Sequence, residues 1–542
     1  MKLHWTILWS LWAARLLQQP TVVVQVSGGL LRGTISPDGT HAQYLAIPYA
    51  TVRPGNRFQA ADIEPTWDGV FNAINENVLC PQRKGNKFVI GQENCLTLNI
   101  YTPVDTTSSS QLPVMVYIHG GGFYDGSGSR HIYGPVYLVS KGVILVTINY
   151  RLNIQGFACL GIKEAPGNIG LKDQVAALKW IKKNIKAFGG DMDNVTIFGE
   201  SAGSASVSFH VLSPMSKEYF QKAILQSGSS LSPWAMQYRP VYMASLLAKA
   251  MGYNTENARE IYNIFMNKSD AELIVTRVPR KEGNVIISEI LYVPCAEEKI
   301  DDVEPFLTDI PYNILTKGDF NKVPMMIGLN SEEGFLFASL ENDTTIPKIE
   351  IEKSLPKDLT FPTHRERKDV AAKLQKLYFG DEKISQETIL NIAKFQGDAY
   401  FSSSILEETE YILRNNDKPI YNYIFNYNGR RNFLKLHAGE PFKSAPGATH
   451  ADELFYLFSQ GLLPSLFESK MIDKMTTLWT NFAKFGDPTP EVTELLPLKW
   501  YPTNSTSPHA MVIDEELSTS PLWYSEALRY WKQLYSKYRR KI

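Results

Sequence analysis

A serine flanked by glycines, Gly199-Glu200-Ser201-Ala202-Gly203, follows the apolar run Val195-Thr196-Ile197-Phe198 and precedes a stretch of small residues. That order describes a strand, a sharp turn and a helix, with Ser201 at the apex and its hydroxyl turned toward a ligand. A side chain at either glycine would collide with the neighbouring strand or helix in so tight a turn. Alone the pentapeptide is weak, since chance supplies it in roughly one chain in five of this length. A serine hydroxyl near neutral pH also needs a base, an acid to orient that base, and donors for an oxyanion.

The chain offers each of these. Gly120-Gly121-Gly122-Phe123 directly follows an apolar strand candidate at 114–119. Consecutive glycines there leave backbone N–H groups uncovered, so Gly121 and Gly122 become oxyanion donors, with the amide of Ala202 as their partner. The acid should lie past a later strand. Asn330-Ser331-Glu332-Glu333-Gly334 follows a strand candidate at 323–329 and presents two carboxylates. Nine histidines could supply the base. His4 belongs to the N-terminal apolar stretch, and His41, His131, His364, His437 and His509 lie in polar loops without a supporting pattern. His119 reads as support for the glycine loop, and His210 as packed or solvated within the helix after Ser201. His450, in Gly447-Ala448-Thr449-His450-Ala451-Asp452-Glu453, stands just before an aromatic segment and is the preferred base. Serine, then acid, then histidine is the chain order of an α/β-hydrolase.

These residues need a scaffold. Further strand candidates fall at 143–148, 195–198, 222–226 and 420–425, with a helical stripe of Val175, Leu178, Ile181 and Ile185 between two of them. Continuous apolar strands alternating with helices imply an α/β fold with a buried, mostly parallel sheet. Helical segments near 235–320 and 340–415 should cap it. Lys2 and the apolar residues 3–17 read as a secretory leader of about 1–19, leaving one domain over 20–542. No later run could span a bilayer, and a monomer is expected. Formal net charge is −1, from 55 basic and 56 acidic residues, which leaves no electrostatic surface for nucleic acid. The basic tail from Lys537 to Ile542 reads as a solvated helix end. No cysteine spacing suits a metal, and the chemistry asks for no metal or cofactor. A Cys80–Cys95 disulfide would staple a polar loop in an oxidising compartment, whereas Cys159 and Cys295 read as free and buried. Sequons at Asn267, Asn342 and Asn504 are candidate glycan sites; Asn194, beside the nucleophile strand, is judged too enclosed.

Taken together, the chain resembles the type-B carboxylesterases, the family of cholinesterases and insect secreted esterases. The likeness runs from about residue 21 to the C-terminus, through Gly55-Asn56-Arg57-Phe58, Glu93-Asn94-Cys95, His119-Gly120-Gly121-Gly122-Phe123, Asn149-Tyr150-Arg151, Gly167-Asn168 with Asp173, Gly199 to Gly203, Gln226-Ser227-Gly228, Glu333-Gly334 and His450. The resemblance implies a triad of Ser201, Glu333 and His450, an oxyanion hole of Gly121, Gly122 and Ala202, the Cys80–Cys95 disulfide, and structural ion pairs Arg57–Glu93 and Arg151–Asp173. The family's second disulfide is missing, with Tyr253 and Ile264 in its place. So is the choline-binding tryptophan of the first disulfide loop. Glu200 stands where juvenile hormone esterases typically carry glutamine. Trp234 and Phe337, with Ser288 and Ile290 in place of bulky phenylalanines, imply a roomy apolar pocket that also includes Glu200. The expected activity is hydrolysis of small to medium apolar esters through an acyl-enzyme. The alternatives are a non-catalytic binding or adhesion protein of the same fold, and a lipase-like hydrolase.

Overall fold

The computed structural model describes residues 19–541 apart from 54, 62, 86, 87, 290 and 461–467. All but the last residue of the expected leader, and Ile290, therefore lie outside the described residues. Ser288 is described in its backbone alone, within the 3-10 turn Ile286–Glu289.

An eleven-stranded sheet organises the molecule. In chain order its strands are β1 (Thr34–Ile35), β2 (His41–Pro48), β3 (Thr97–Pro103), β4 (Leu112–Ile118), β5 (Ile144–Ile148), β6 (Gly190–Glu200), β7 (Lys222–Gln226), β8 (Met325–Asn330), β9 (Ile420–Phe425), β10 (His509–Ile513) and β11 (Ser518–Pro521). Across the sheet they run β11-β10-β9-β8-β7-β6-β4-β5-β3-β2-β1. Neighbours from β5 through β4 to β10 are parallel, and the pairs at both edges are antiparallel. The winding reverses at β4, which has β5 on one side and β6 on the other. That reversal opens a crevice beyond the carboxyl ends of β4 and β6, where open α/β sheets bind ligands.

The apolar runs fold this way because each central strand is covered on both faces. Along β4, Val114, Val116 and Ile118 join one core cluster while Met115 and Tyr117 join the other. Seven helices carry the argument below: α1 (Ile169–Asn184), α2 (Ala202–Leu212), α3 (Ile389–Gly397), α4 (Ser403–Asn415), α5 (Phe433–Ala438), α6 (Ser469–Phe485) and α7 (Glu526–Tyr538). α1, α2 and α7 bury their apolar stripes in the first cluster. α6 buries Met471, Met475, Leu478 and Phe482, a spacing of one helix face, in the second. Each fully buried side chain of this kind stabilises the fold by about 1.5–3 kcal/mol.

Three expectations change. Cys159 and Cys295 are not free but form a second disulfide beside Cys80–Cys95. Their 136-residue separation hides the pairing. Asn168, at the start of α1, brings them together by hydrogen bonds to both the carbonyl (2.8 Å) and the amide (2.9 Å) of Cys295. Arg57 pairs with Asp270 at 3.1 Å, not with Glu93, because the carbonyls of Phe265 and Lys268 draw its guanidinium toward that segment. Arg151–Asp173 forms as expected, at 2.6 and 2.7 Å. The basic tail is not simply solvated: Arg539 is buried against Asp358 at 2.9 Å and against Glu407.

Candidate active site

The turn between β6 and α2 holds Ser201 at φ 58°, ψ −122°. A non-glycine residue kept in such a conformation costs about 1–3 kcal/mol, so its surroundings must over-determine it. They do. Ser201 N–H donates to the Gln226 carbonyl at 2.9 Å, and the Ser201 carbonyl accepts from Ala205 at 2.9 Å. A Cβ on Gly203 would stand 2.0 Å from the Ile118 carbonyl, and one on Gly199 would stand 2.6 Å from the Gly203 backbone. Both glycines are therefore required by contact. Ala202 opens α2, where the first amides have no partner within the helix and the helix dipole is positive.

Beyond β4, Gly121 and Gly122 adopt φ 99° and 60°, a region that glycine enters without strain. The loop is fixed by hydrogen bonds from Tyr124 and Asp125 to the Gly121 carbonyl. His119 supports it as expected, bonding the Gly120 carbonyl at 2.8 Å and stacking on Tyr150. Burial lowers His119 to about 4, which keeps it neutral. His210 is packed, between Gln174 and Ser216, and takes no part in the site.

Beyond β8 the two glutamates separate. Glu332 faces Lys394, 3.9 Å away, while Glu333 turns inward. Its Oε1 accepts from the Asn330 amide at 2.7 Å, and its Oε2 lies 2.6 Å from His450 Nδ1. A carboxylate only accepts, so Nδ1 carries the proton there. His450 Nε2 lies 3.0 Å from Glu200 Oε1, a charge contact without hydrogen-bond alignment. No hydrogen bond joins His450 to Ser201 in this structure, although both line one cavity. Burial disfavours the imidazolium, yet Glu200 and Glu333 outweigh it and raise His450 to about 9. Burial raises Glu200 to about 8 against the pull of His450.

That cavity measures about 260 Å³ and is lined by Gly121, Gly122, Glu200, Ser201, Trp234, Ile287, Leu336, Phe337, Phe401, His450 and Ala451. The expected pocket residues Trp234 and Phe337 are thus in place. Phe401 is one of the lining residues that sequence reasoning missed, with Ile287, Leu336 and Ala451. It stacks on Phe337 with centroids 5.0 Å apart and tilts against His450 at 4.6 Å. Glu453 was missed too. Buried three residues after His450, it accepts from Gln226 (3.0 Å) and Asn330 (2.6 Å). Burial holds it up at about 7. The run His450-Ala451-Asp452-Glu453 carried that signal, since its last acid returns to the same face one turn on. Among the described residues no cluster could hold a metal ion, and no helix is long and apolar enough to cross a membrane.

Residues 20–531 match the model of the carboxylesterase family. Esterase FE4 of Myzus persicae is 34% identical over 85% of this chain and 82% of its own length. The juvenile hormone esterase of Tribolium castaneum is 33% identical over 87% and 84%. The crystal structure of juvenile hormone esterase from Manduca sexta, with OTFP covalently attached, superposes with a TM-score of 0.80 at 26% identity, covering 95% of this chain and 99% of that one. The chain belongs to the carboxylesterase family and is a serine carboxylic ester hydrolase with the α/β-hydrolase fold.

Proposed function

We propose that the chain hydrolyses small to medium apolar esters with Ser201 as nucleophile, His450 as base and Glu333 as the acid that orients it. One observation carries the assignment: Ser201, held at a left-handed φ, opens into the same apolar cavity as His450, whose other ring nitrogen is bonded to Glu333. For the reaction the imidazole leaves Glu200 and takes the Ser201 proton, and the serine oxygen attacks the ester carbonyl. The amides of Gly121, Gly122 and Ala202 receive the oxyanion. Glu333 stabilises the imidazolium, which then protonates the departing alcohol. A water activated by His450 releases the acid from the acyl-enzyme. Replacing Ser201 with Ala should lower kcat by several orders of magnitude, and near wild-type turnover in that variant would end the assignment.

The cavity lies just below the roughly 300–1,000 Å³ of pockets for drug-sized ligands, and its aromatic wall suits an acyl group of short to medium length. This supports a general esterase over a lipase that needs an extended acyl groove. Purified protein assayed on acetyl, butyryl, hexanoyl and longer esters should peak among the shorter chains. Best activity on emulsified long-chain esters would overturn that. We also assign the protein to the extracellular space. Two disulfides support this, as do the exposed sequons Asn267, Asn342 and Asn504; Asn194 is partly covered and bonded by Lys222. Secretion from expressing cells with a glycosidase-sensitive shift would test it, and sedimentation would test the expected monomer.

A further inference from the structure

The loop that carries His450 is held from two sides. Toward Glu333 it is tied by the Ser331 hydroxyl to the Ala448 amide (3.2 Å), by Glu332 N–H to the Ala448 carbonyl (2.9 Å) and by Asn330 to the Thr449 carbonyl (2.6 Å). On the far side stands Lys435 of α5, buried with 1% of its surface exposed. A buried ammonium is costly unless each of its three N–H groups finds an acceptor. Here each one does: Asn428 Oδ1 at 2.6 Å, the Gly447 carbonyl at 2.7 Å and the Ala445 carbonyl. Two of the three belong to the loop that leads into His450. The same helix turn is fastened to that loop again through Asp452, which accepts from Leu434 N–H at 3.2 Å and from Thr449 N–H at 2.9 Å.

We propose that Lys435 is a positioning residue for the reaction: its buried ammonium gathers the 445–447 carbonyls and so fixes where the His450 imidazole stands relative to Ser201 and Glu333. The inference rests on His450 being the base. An aliphatic group of equal length at 435 would fill the space but leave three acceptors unpaired and the loop free to shift. A displacement of about 1 Å in a catalytic group can cost about a hundredfold in rate.

The test compares Lys435→Ala, Lys435→Met and, outside the ammonium itself, Asn428→Leu with the wild type in the full-length protein. Folded active sites are counted by fluorophosphonate titration, so that kcat is expressed per reactive serine. We expect Lys435→Ala to lose about ten- to a hundredfold in kcat per titrated site with KM within about twofold. Millimolar methylammonium should restore part of that loss in Lys435→Ala, where it has room, and not in Lys435→Met. Asn428→Leu, which removes one acceptor of three, should give a smaller loss of the same kind, and it decides the question if the lysine variants do not fold. A lower count of titrated sites with unchanged kcat per site would overturn the proposal, because it would make Lys435 a folding residue only. An absence of amine rescue beside a wild-type kcat in Asn428→Leu would overturn it as well. His450→Ala separates this from the underlying reading: full activity in that variant would remove the base assignment, whereas an inactive His450→Ala beside an unaffected Lys435→Ala removes the positioning role alone.

Discussion

His450 stands among three buried carboxylates, Glu200, Glu333 and Glu453, and each bears on its proton. In the proposed mechanism Glu333 touches Nδ1 and holds the tautomer, but Glu200 reaches Nε2, the nitrogen that must be free to take the proton of Ser201. The base works only when neutral, so kcat/KM should rise with pH as His450, held up at about 9, gives up its proton. Glu200→Gln removes the largest charge contribution among the three carboxylates that raise it. The His450 pKa should then fall, and the acidic limb of the kcat/KM profile should move to lower pH. A pH–rate series on a soluble acetate ester measures this. A limb that stays in place, or moves up, would show that Glu200 does not set the titration of the base.

At the scale of elements, legibility followed periodicity. β7 and β9 fall at the residues their sequence runs predict, because a strand covered on both faces is apolar at most positions; the buried exceptions are bonded, Gln226 to Glu453 at 3.0 Å and Asn422 to the Ile327 carbonyl at 3.2 Å. The strand ends of β4, β6 and β8, where the candidate site residues lie, were readable for the same reason. What stayed hidden depends on contacts between distant segments. Nothing near Cys159 announces Cys295, and nothing near Phe401 announces the catalytic cavity. Phe401 sits in the π-helical turn Asp398–Ser402 between α3 and α4. The wider turn changes the facing of the residues within it without changing their apolar pattern, and such turns recur at functional sites. Trp234 Nε1 bonds the Tyr400 carbonyl in that turn at 2.9 Å, which ties two walls of the cavity together. Phe401→Ala should raise the ratio of octanoyl to acetyl kcat/KM by about tenfold, since pocket contacts worth one or a few methylenes discriminate on that scale. It should also cost about 3–5 kcal/mol of stability. An unchanged chain-length profile would mean that Phe401 does not bound the acyl group.

Over the whole molecule, the last helix closes the fold. α7 lays Leu528, Trp531 and Leu534 on the core, and the segment after it sets Arg539 between Asp358 and Glu407. These acids come from segments that precede and follow the π turn, so one cation draws three distant stretches of the chain together. Arg539→Ala leaves two buried acids without their partner, and breaking such a pair costs about 3–5 kcal/mol. Urea unfolding should show that loss as a lower midpoint with an unchanged slope; a change under about 1 kcal/mol would mean that the tail is solvated after all. The carboxylates round His450 have a further consequence, for the departure of what the enzyme makes. An ester arrives neutral, but its acid leaves as an anion from a buried chamber walled by Glu200 and backed by Glu333 and Glu453. Above about pH 9, once His450 is neutral and Glu200 and Glu453 are ionised, like charges at short range in so poorly screened a space repel strongly, so the chamber evicts its own acid product. Product inhibition above about pH 9 should then be lopsided: the free carboxylate should inhibit far more weakly than the uncharged amide of the same acyl group, and turnover there should stay linear while acid accumulates.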